Sequence, residues 1–443
     1  MTEQPKDKSA AQPRPIPATR LSRFNRLASM TARVGGNMAG GALQELARGQ
    51  RPNMRDLLLT PANMRRIADD LAKMRGAAMK IGQLVSMDTG DVLPPELAQI
   101  FARLRADADF MPPTQLKKVL NANWPDGWLK QFHRFDVHPI AAASIGQVHR
   151  AQLKDGRDVA IKVQYPGVAK SIDSDVSNVG ALMRVSGLLP AGFELKPYLI
   201  EARRQLHEET DYALEGRQLQ AFQAHIGDHP HFALPTLQQD WTTQNILTMS
   251  YVDGIAIEEA SHAPQPDRDR IAARLLRLML DELFTYGLMQ TDPNFANYRY
   301  DPETGKIILL DFGATRAIDP HLADQYRRLM TAGLDDDLET LKAIALEIGF
   351  LTEDTEDRFA TRILRMMQLV FAALTENQQF DFTRTDLSDA MNREGRALAE
   401  DGFVPPPLPM DVLYLQRKFG GMFLLCARLK AQVPLRAILQ EYL

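Results

Sequence analysis

Three oxygen-bearing side chains stand close together past the middle of the sequence. Asp292 and Asn297 lie in Asp292-Pro-Asn-Phe-Ala-Asn297, and Asp311 lies in Asp311-Phe-Gly313. Two carboxylates and an amide are hard oxygen ligands of the kind that hold Mg2+. One of the carboxylates can instead orient an attacking hydroxyl. Phosphoryl transfer to or from a nucleotide needs this combination, and the apolar run Ile307–Leu310 reads as the strand between the two segments. A bare Asp-Phe-Gly is common by chance. The same triplet after an Asp/Asn pair at this spacing is far more specific.

Upstream, Asp158-Val-Ala-Ile-Lys162-Val reads as a strand carrying a lysine that can hold α- and β-phosphates. An ordinary edge-strand lysine is the competing reading. Together these segments resemble the metal, catalytic and phosphate-holding parts of a protein kinase. One strand earlier, Ala141, Ala142, Ala143, Ser144, Ile145 and Gly146 occupy the place of a Gly-rich phosphate loop, with alanines for most of the glycines. Alanine restricts φ and sets a methyl where backbone amides would approach phosphate, so a stiffer lid is expected. Asn245–Met249 is strand-like, and Ser250-Tyr-Val-Asp-Gly254 follows as a turn. Backbone groups near Met249 and Tyr251 could meet an adenine edge; the same residues also read as a plain strand and turn.

Several elements must position these residues. Asn63 through Met87 has long helical periodicity and carries Lys80-Ile-Gly82-Gln83, and Glu96–Leu104 is a further amphipathic segment. By spacing alone Lys80 and Gln83 read as solvent-facing. Lys196 to His225 reads as one long polar helix bearing Glu209, Asp211 and Glu215. Asp211 and Glu215 share a face and repel unless a cation intervenes. After Gly313 the chain passes almost at once into a helix near His321, with no Ala-Pro-Glu element. The stripe Val412/Leu415/Phe419/Phe423 reads as core.

The joint occurrence of Lys80-x-Gly82-Gln83, Ala141–His149, Glu209-x-Asp211, Gln290-Thr-Asp292-Pro-Asn294 and Asp311-Phe-Gly313 is similar to the UbiB/AarF (ADCK) family, over roughly residues 15–443. That family comprises atypical kinase-like ATPases, and the Gln-Thr-Asp-Pro-Asn form resembles its coenzyme-Q branch. The resemblance implies that Lys162 pairs with Glu215 and that Glu209 reaches Lys80. It also implies that Lys80, Gly82 and Gln83 cover the active site where a protein substrate would sit.

Composition agrees. A chain of 443 residues, 45% hydrophobic and 24% charged, suits two lobes and an extension. Its formal charge of −4 gives nucleic acid no global attraction. The single cysteine, Cys426, rules out an internal disulfide and reads as buried. No apolar run reaches the roughly 18 residues of a membrane span, and no secretory segment is evident. Arg14, Arg20, Arg23, Arg26 and Arg33 lie opposite Leu21, Phe24, Leu27 and Met30, which suggests a membrane-surface helix or a helix packed on the protein itself. Gly36 and Gly40 permit close helix approach.

The expected architecture is α+β, two-lobed and protein-kinase-like. It comprises a Pro-rich tail (1–19), a helical extension (20–128), a small lobe (129–250) and a mostly helical large lobe (251–443). The expected function is Mg-ATP binding and slow hydrolysis supporting ubiquinone biosynthesis. Lys162 would hold phosphates, Asn297 and Asp311 would hold Mg2+, and Asp292 would orient the acceptor. Phosphotransfer to a lipid or small molecule, and a nucleotide-switched scaffold, are the alternatives. ATP, anionic lipid, a quinone-precursor lipid and ubiquinone-biosynthesis enzymes are the expected partners. The expected location is cytoplasmic, peripheral to the inner membrane.

Overall fold

The computed structural model describes residues 71, 74–89, 110–143, 145–185, 194–376 and 378–443. The Pro-rich tail, the basic stretch and Gly36/Gly40, the helical segment 96–104, the start of the 63–87 helix and Ser144 lie outside these residues. The chain forms two compact units. One runs to Gln220 and includes Thr236–Tyr251; the other comprises Ala221–Pro235 and Val252–Leu443.

The first unit is built on an antiparallel sheet. Its strands are β1 (Phe132–Phe135), β2 (Ala141–Ala142), β3 (Gly146–Leu153) and β4 (Asp158–Gln164). After β5 (Phe232–Ala233), which belongs to the other unit, β6 (Ile246–Ser250) completes the set. The order is β1-β3-β4-β6, with β2 on β3. Strand alternation explains the two faces. Val159, Ile161 and Val163 of β4 enter a core with Trp124, Trp128 and Phe132. Ala160 and Lys162 therefore point to the opposite face.

Helices cover this unit: α1 (Arg75–Thr89), α2 (Pro113–Asn123), α3 (Val168–Val185) and α4 (Lys196–Glu209), with α1 packed on both α3 and α4. The next helix, α5 (Tyr212–Ile226), is separate from α4. The single helix expected from Lys196 to His225 is thus broken at Thr210 and Asp211. Asp211 caps the new helix, its Oδ1 accepting from Leu214 N at 3.0 Å. Backbone groups freed by the break are satisfied elsewhere. Gln164 Nε2 donates to Thr210 O at 2.8 Å, and Tyr212 N donates to Gln244 O at 3.1 Å.

The second unit is mostly helical. It contains β7 (Ile255–Ala256), α6 (Gln265–Asp281), β8 (Leu288–Gln290), β9 (Tyr298–Tyr300), β10 (Ile307–Leu309) and β11 (Thr315–Ala317). Helices α7 (Pro320–Leu334), α8 (Leu338–Ile348), α9 (Asp357–Thr375), α10 (Asp386–Glu400) and α11 (Met410–Arg428) follow. A π turn, Glu282–Tyr286, extends α6. The apolar run expected as a strand is β10, buried throughout between parallel β5 and antiparallel β9. Asp319 caps α7 by accepting from His321 N at 2.9 Å.

Candidate active site

The candidate residues fall into two sets, one on each unit. In the first unit, Lys162 Nζ lies 2.9 Å from both carboxylate oxygens of Glu215, and both side chains are buried. The helix break creates this contact, because it places Glu215 in the first turn of a new helix. Glu215 is thus not part of a solvated acidic face. The Tyr212 ring adds a cation–π contact 5.1 Å from Lys162 Nζ.

The alanine-rich segment is a tight hairpin. Ala141 and Ala142 pair with Val148 and Gln147, and Ala143 N donates to Gly146 O at 2.8 Å. Ala141 and Ala142 are exposed, Ala143 is partly so, and Ile145 and Gly146 are buried. Gly146 is a required glycine: a Cβ there would lie 2.6 Å from Val163 O and 2.6 Å from Tyr212 Oη. Lys80 of α1 forms an ion pair with Glu209 at the end of α4, and is itself buried. Lys80 is therefore not solvent-facing. Gln83, one turn on, is half-buried.

Met249 sits within β6 and pairs with Ala160, and Tyr251 N donates to Asp158 O at 2.9 Å. The Tyr251 donor is spent on the sheet. Adenine contacts near this turn would fall to neighbouring backbone groups.

In the second unit, β8 leads into Asp292 and β9 begins after Asn297. Asn297 Nδ2 donates to Asp292 O at 3.1 Å, which turns the amide oxygen away from that carbonyl. Asp311 Oδ1 accepts from Gly313 N at 2.9 Å. Phe312 is buried and packs on Phe222 at 5.1 Å between ring centroids. The β8/β11 pairing, with Thr291 N and Oγ1 both donating to Ala314 O, ties the two acidic segments together. Asp292 pairs with Arg417 of α11 at 2.5 Å. Carboxylate and amide oxygens of this kind are hard donors of the type that Mg2+ takes. Among the described residues no group of three or more His, Cys, Asp or Glu side chains could hold a metal by itself.

Sequence reasoning missed the part played by α11. Lys418 is buried against Glu282 at 2.8 Å, and a Cβ on Gly421 would lie 2.2 Å from the Pro293 ring. A signal was present. Leu415, Lys418, Met422 and Leu425 lie on one buried stripe, and a lysine on such a stripe demands a partner.

The sequence profile of the ABC1 atypical kinase-like domain matches residues 103–345. The chain belongs to this family, within the UbiB/AarF group. It is 38% identical to atypical kinase COQ8, mitochondrial, of Saccharomyces cerevisiae, across 96% of this chain and 85% of that one. It is 35% identical to atypical kinase COQ8B, mitochondrial, of Rattus norvegicus, across 97% and 81% respectively. The solved complex of Rv3197 with erythromycin from Mycobacterium tuberculosis is similar in fold, with a TM-score of 0.61 and 24% identity, covering 86% of this chain and 96% of that one. The two-lobed α+β kinase-like fold read from the motifs is thereby established. Among the described residues no helix is long and apolar enough to cross a membrane.

Proposed function

We propose that this protein is a Mg-ATP-binding, kinase-like ATPase that supports ubiquinone biosynthesis at a membrane surface. The observation that carries this reading is the buried Lys162–Glu215 pair, in a family member that also carries Asp292, Asn297 and Asp311. In kinase-like chemistry that pair holds the lysine against the α- and β-phosphates. Asn297 and Asp311 would hold Mg2+; when bound, the ion offsets charge on the transferring phosphate. Asp292 would orient the attacking water or hydroxyl. The Ala141–Gly146 hairpin would cover the phosphates with little φ freedom.

On this reading Lys80, paired with Glu209, acts as a restraint on the site and not as a phosphate ligand. Replacing Lys80 with Ala should leave Mg-dependent binding intact while changing nucleotide preference. A loss of turnover in step with Asp311→Asn would make Lys80 an ordinary ligand.

The pathway and the membrane rest on the COQ8 relatives and on the basic N-terminal stretch. Each cation near an anionic surface contributes about 1 kcal/mol. Deleting residues 1–33 should therefore weaken co-sedimentation with anionic vesicles.

The deciding experiment gives the purified protein Mg2+ and γ-labelled ATP, with and without anionic vesicles. Label released as phosphate, faster with vesicles, is the expected result. Label on a lipid or small molecule would make it a phosphotransferase. Tight nucleotide binding without release would make it a switched scaffold.

A further inference from the structure

Helix α11 lies beyond the segment that matches the family profile, yet its Lys418 is joined to both ends of the loop that carries Asp292 and Asn297. Lys418 Nζ donates to Gln290 O at 2.8 Å and to Tyr298 Oη at 3.2 Å. Gln290 is the last residue of β8, and Tyr298 is the first of β9. A single ammonium thus bridges the two strands at the mouth of the loop. Glu282, in the π turn after α6, closes the arrangement from below at 2.8 Å. A hydrogen bond from the Gln290 backbone also favours its charged form.

Burial raises the Glu282 carboxyl, and Lys418 pulls it back. Burial works against the Lys418 ammonium, but Glu282 and Tyr298 outweigh it and keep it protonated. Such a pair is poor value as a stabiliser, since well-packed apolar side chains of the same volume do as well or better. It does provide directed contacts to two fixed points on the backbone and a ring.

We propose that Lys418 is the positioning residue that fixes the mouth of the 291–297 loop and so sets the spacing of Asp292 and Asn297. Neighbouring contacts point the same way. Arg417 holds the Asp292 carboxylate, and the lack of a side chain at Gly421 lets α11 press against Pro293. The loop is then held by a helix more than a hundred residues later in the chain, and the metal and acceptor residues inherit their geometry from it. The metal part of this inference rests on the function proposed above; the loop part does not.

The test is hydrogen exchange of the full chain without nucleotide or metal, alongside a Mg2+ titration of turnover. Lys418→Met with Glu282→Gln removes both charges together. Exchange at residues 291–297 should then rise about tenfold, with α6 and the β9/β10 pair unchanged. The Mg2+ concentration for half-maximal turnover should rise by about the same factor, while ADP binding in EDTA stays as in the unaltered protein. Glu282→Gln alone keeps both Lys418 contacts and should leave loop exchange near the unaltered value. Equal loosening by that single change would overturn the proposal, as would unchanged loop exchange in the folded double variant. Should the double variant fail to fold, Tyr298→Phe removes one contact only. It should raise exchange at residues 295–297, and no rise there would overturn the proposal. If the unaltered protein shows no Mg-dependent turnover, the proposed function fails while the exchange result still decides the loop.

Discussion

Lys162 and Lys418 are both buried lysines paired with a glutamate, at 2.9 Å and 2.8 Å, yet they serve opposite ends of their surroundings. On the proposed function, Lys162 is itself the group that would meet phosphate. The sheet that carries it is rigid because its other face is an aromatic core, with Trp124, Phe132 and Trp241 in mutual ring contact. Lys418 faces no ligand-holding residue directly. It holds backbone and ring groups on either side of a loop whose own residues would do the chemistry. One unit carries its candidate residue on a strand; the other carries its candidates on a loop between strands, anchored from a distant helix.

Breaking the first pair should produce the largest effect. Lys162→Met leaves Glu215 charged and buried without its partner, which costs about 3–5 kcal/mol. All three tryptophans of the chain, at 124, 128 and 241, lie in that unit, so urea unfolding followed by fluorescence reads it directly. Lys162→Met with Glu215→Leu should recover most of the loss without restoring turnover. A single variant as stable as the unaltered protein would mean the pair is solvated in solution.

Asp311→Asn probes the other unit and should spare stability. If Asp311 helps hold the metal as proposed, removing its full charge should cost about 100-fold or more in Mg-dependent turnover. An unchanged rate and unchanged Mg-ATP affinity would remove Asp311 from the site.

These two units also differed in how far the sequence disclosed them. Lys162 was legible because β4 alternates: Val159, Ile161 and Val163 had to be buried together, and the lysine between them had to face elsewhere. Asp292, Asn297 and Asp311 stood out by their types and spacing, and the structure ties their two segments together. The break between α4 and α5 was not, because helical periodicity continues through Thr210 and Asp211. The break is decided by Gln164 and Gln244, which take up the freed backbone groups from other parts of the chain. The Lys418–Glu282 pair was illegible for a similar reason. Each charge lies on the buried stripe of its own helix, 136 positions apart in the sequence, and no local pattern joins them. The fate of Lys80 was visible only through family resemblance, since its spacing alone favours solvent.

Two glycine substitutions sharpen the contrast at smaller scale. Overpacking of this kind costs about 1–3 kcal/mol. At Gly146 an added methyl meets the Val163 carbonyl, part of a paired strand that cannot retreat. Gly146→Ala should therefore lower the stability of the first unit, read by tryptophan fluorescence. At Gly421 the added methyl meets only the Pro293 ring, on the loop itself. Gly421→Ala should shift the loop and lower turnover more than stability. Equal effects of both on stability would show that the loop is as rigid as the sheet.

The smallest effect is one of pH. His149 is buried in β3 with Nδ1–H donating to Asp136 O at 2.8 Å. Its Nε2 accepts from Gln147 Nε2 at 2.9 Å, and Gln147 Oε1 accepts from Met111 N at 2.8 Å. The ring is thus neutral and is a structural link, not a ligand. Burial lowers its pKa below the ordinary histidine value, and nearby His138 pushes the same way, against the Asp136 contact. The unfolded chain therefore takes up a proton first as the pH falls. Stability is full above the ordinary histidine range and declines as the pH falls through it toward the folded pKa, by up to about 1.4 kcal/mol per pH unit. In the second unit burial likewise lowers His229 and His231, but both are only partly buried, so their share should be smaller. Fluorescence-detected urea midpoints between pH 7.5 and pH 5.5 should therefore fall in the unaltered protein and fall less in His149→Gln, whose amide can keep one donor and one acceptor. Identical pH slopes in the two proteins would mean that His149 is protonated in the folded sheet, and that the Gln147–His149–Asp136 chain does not hold the tautomer assigned to it.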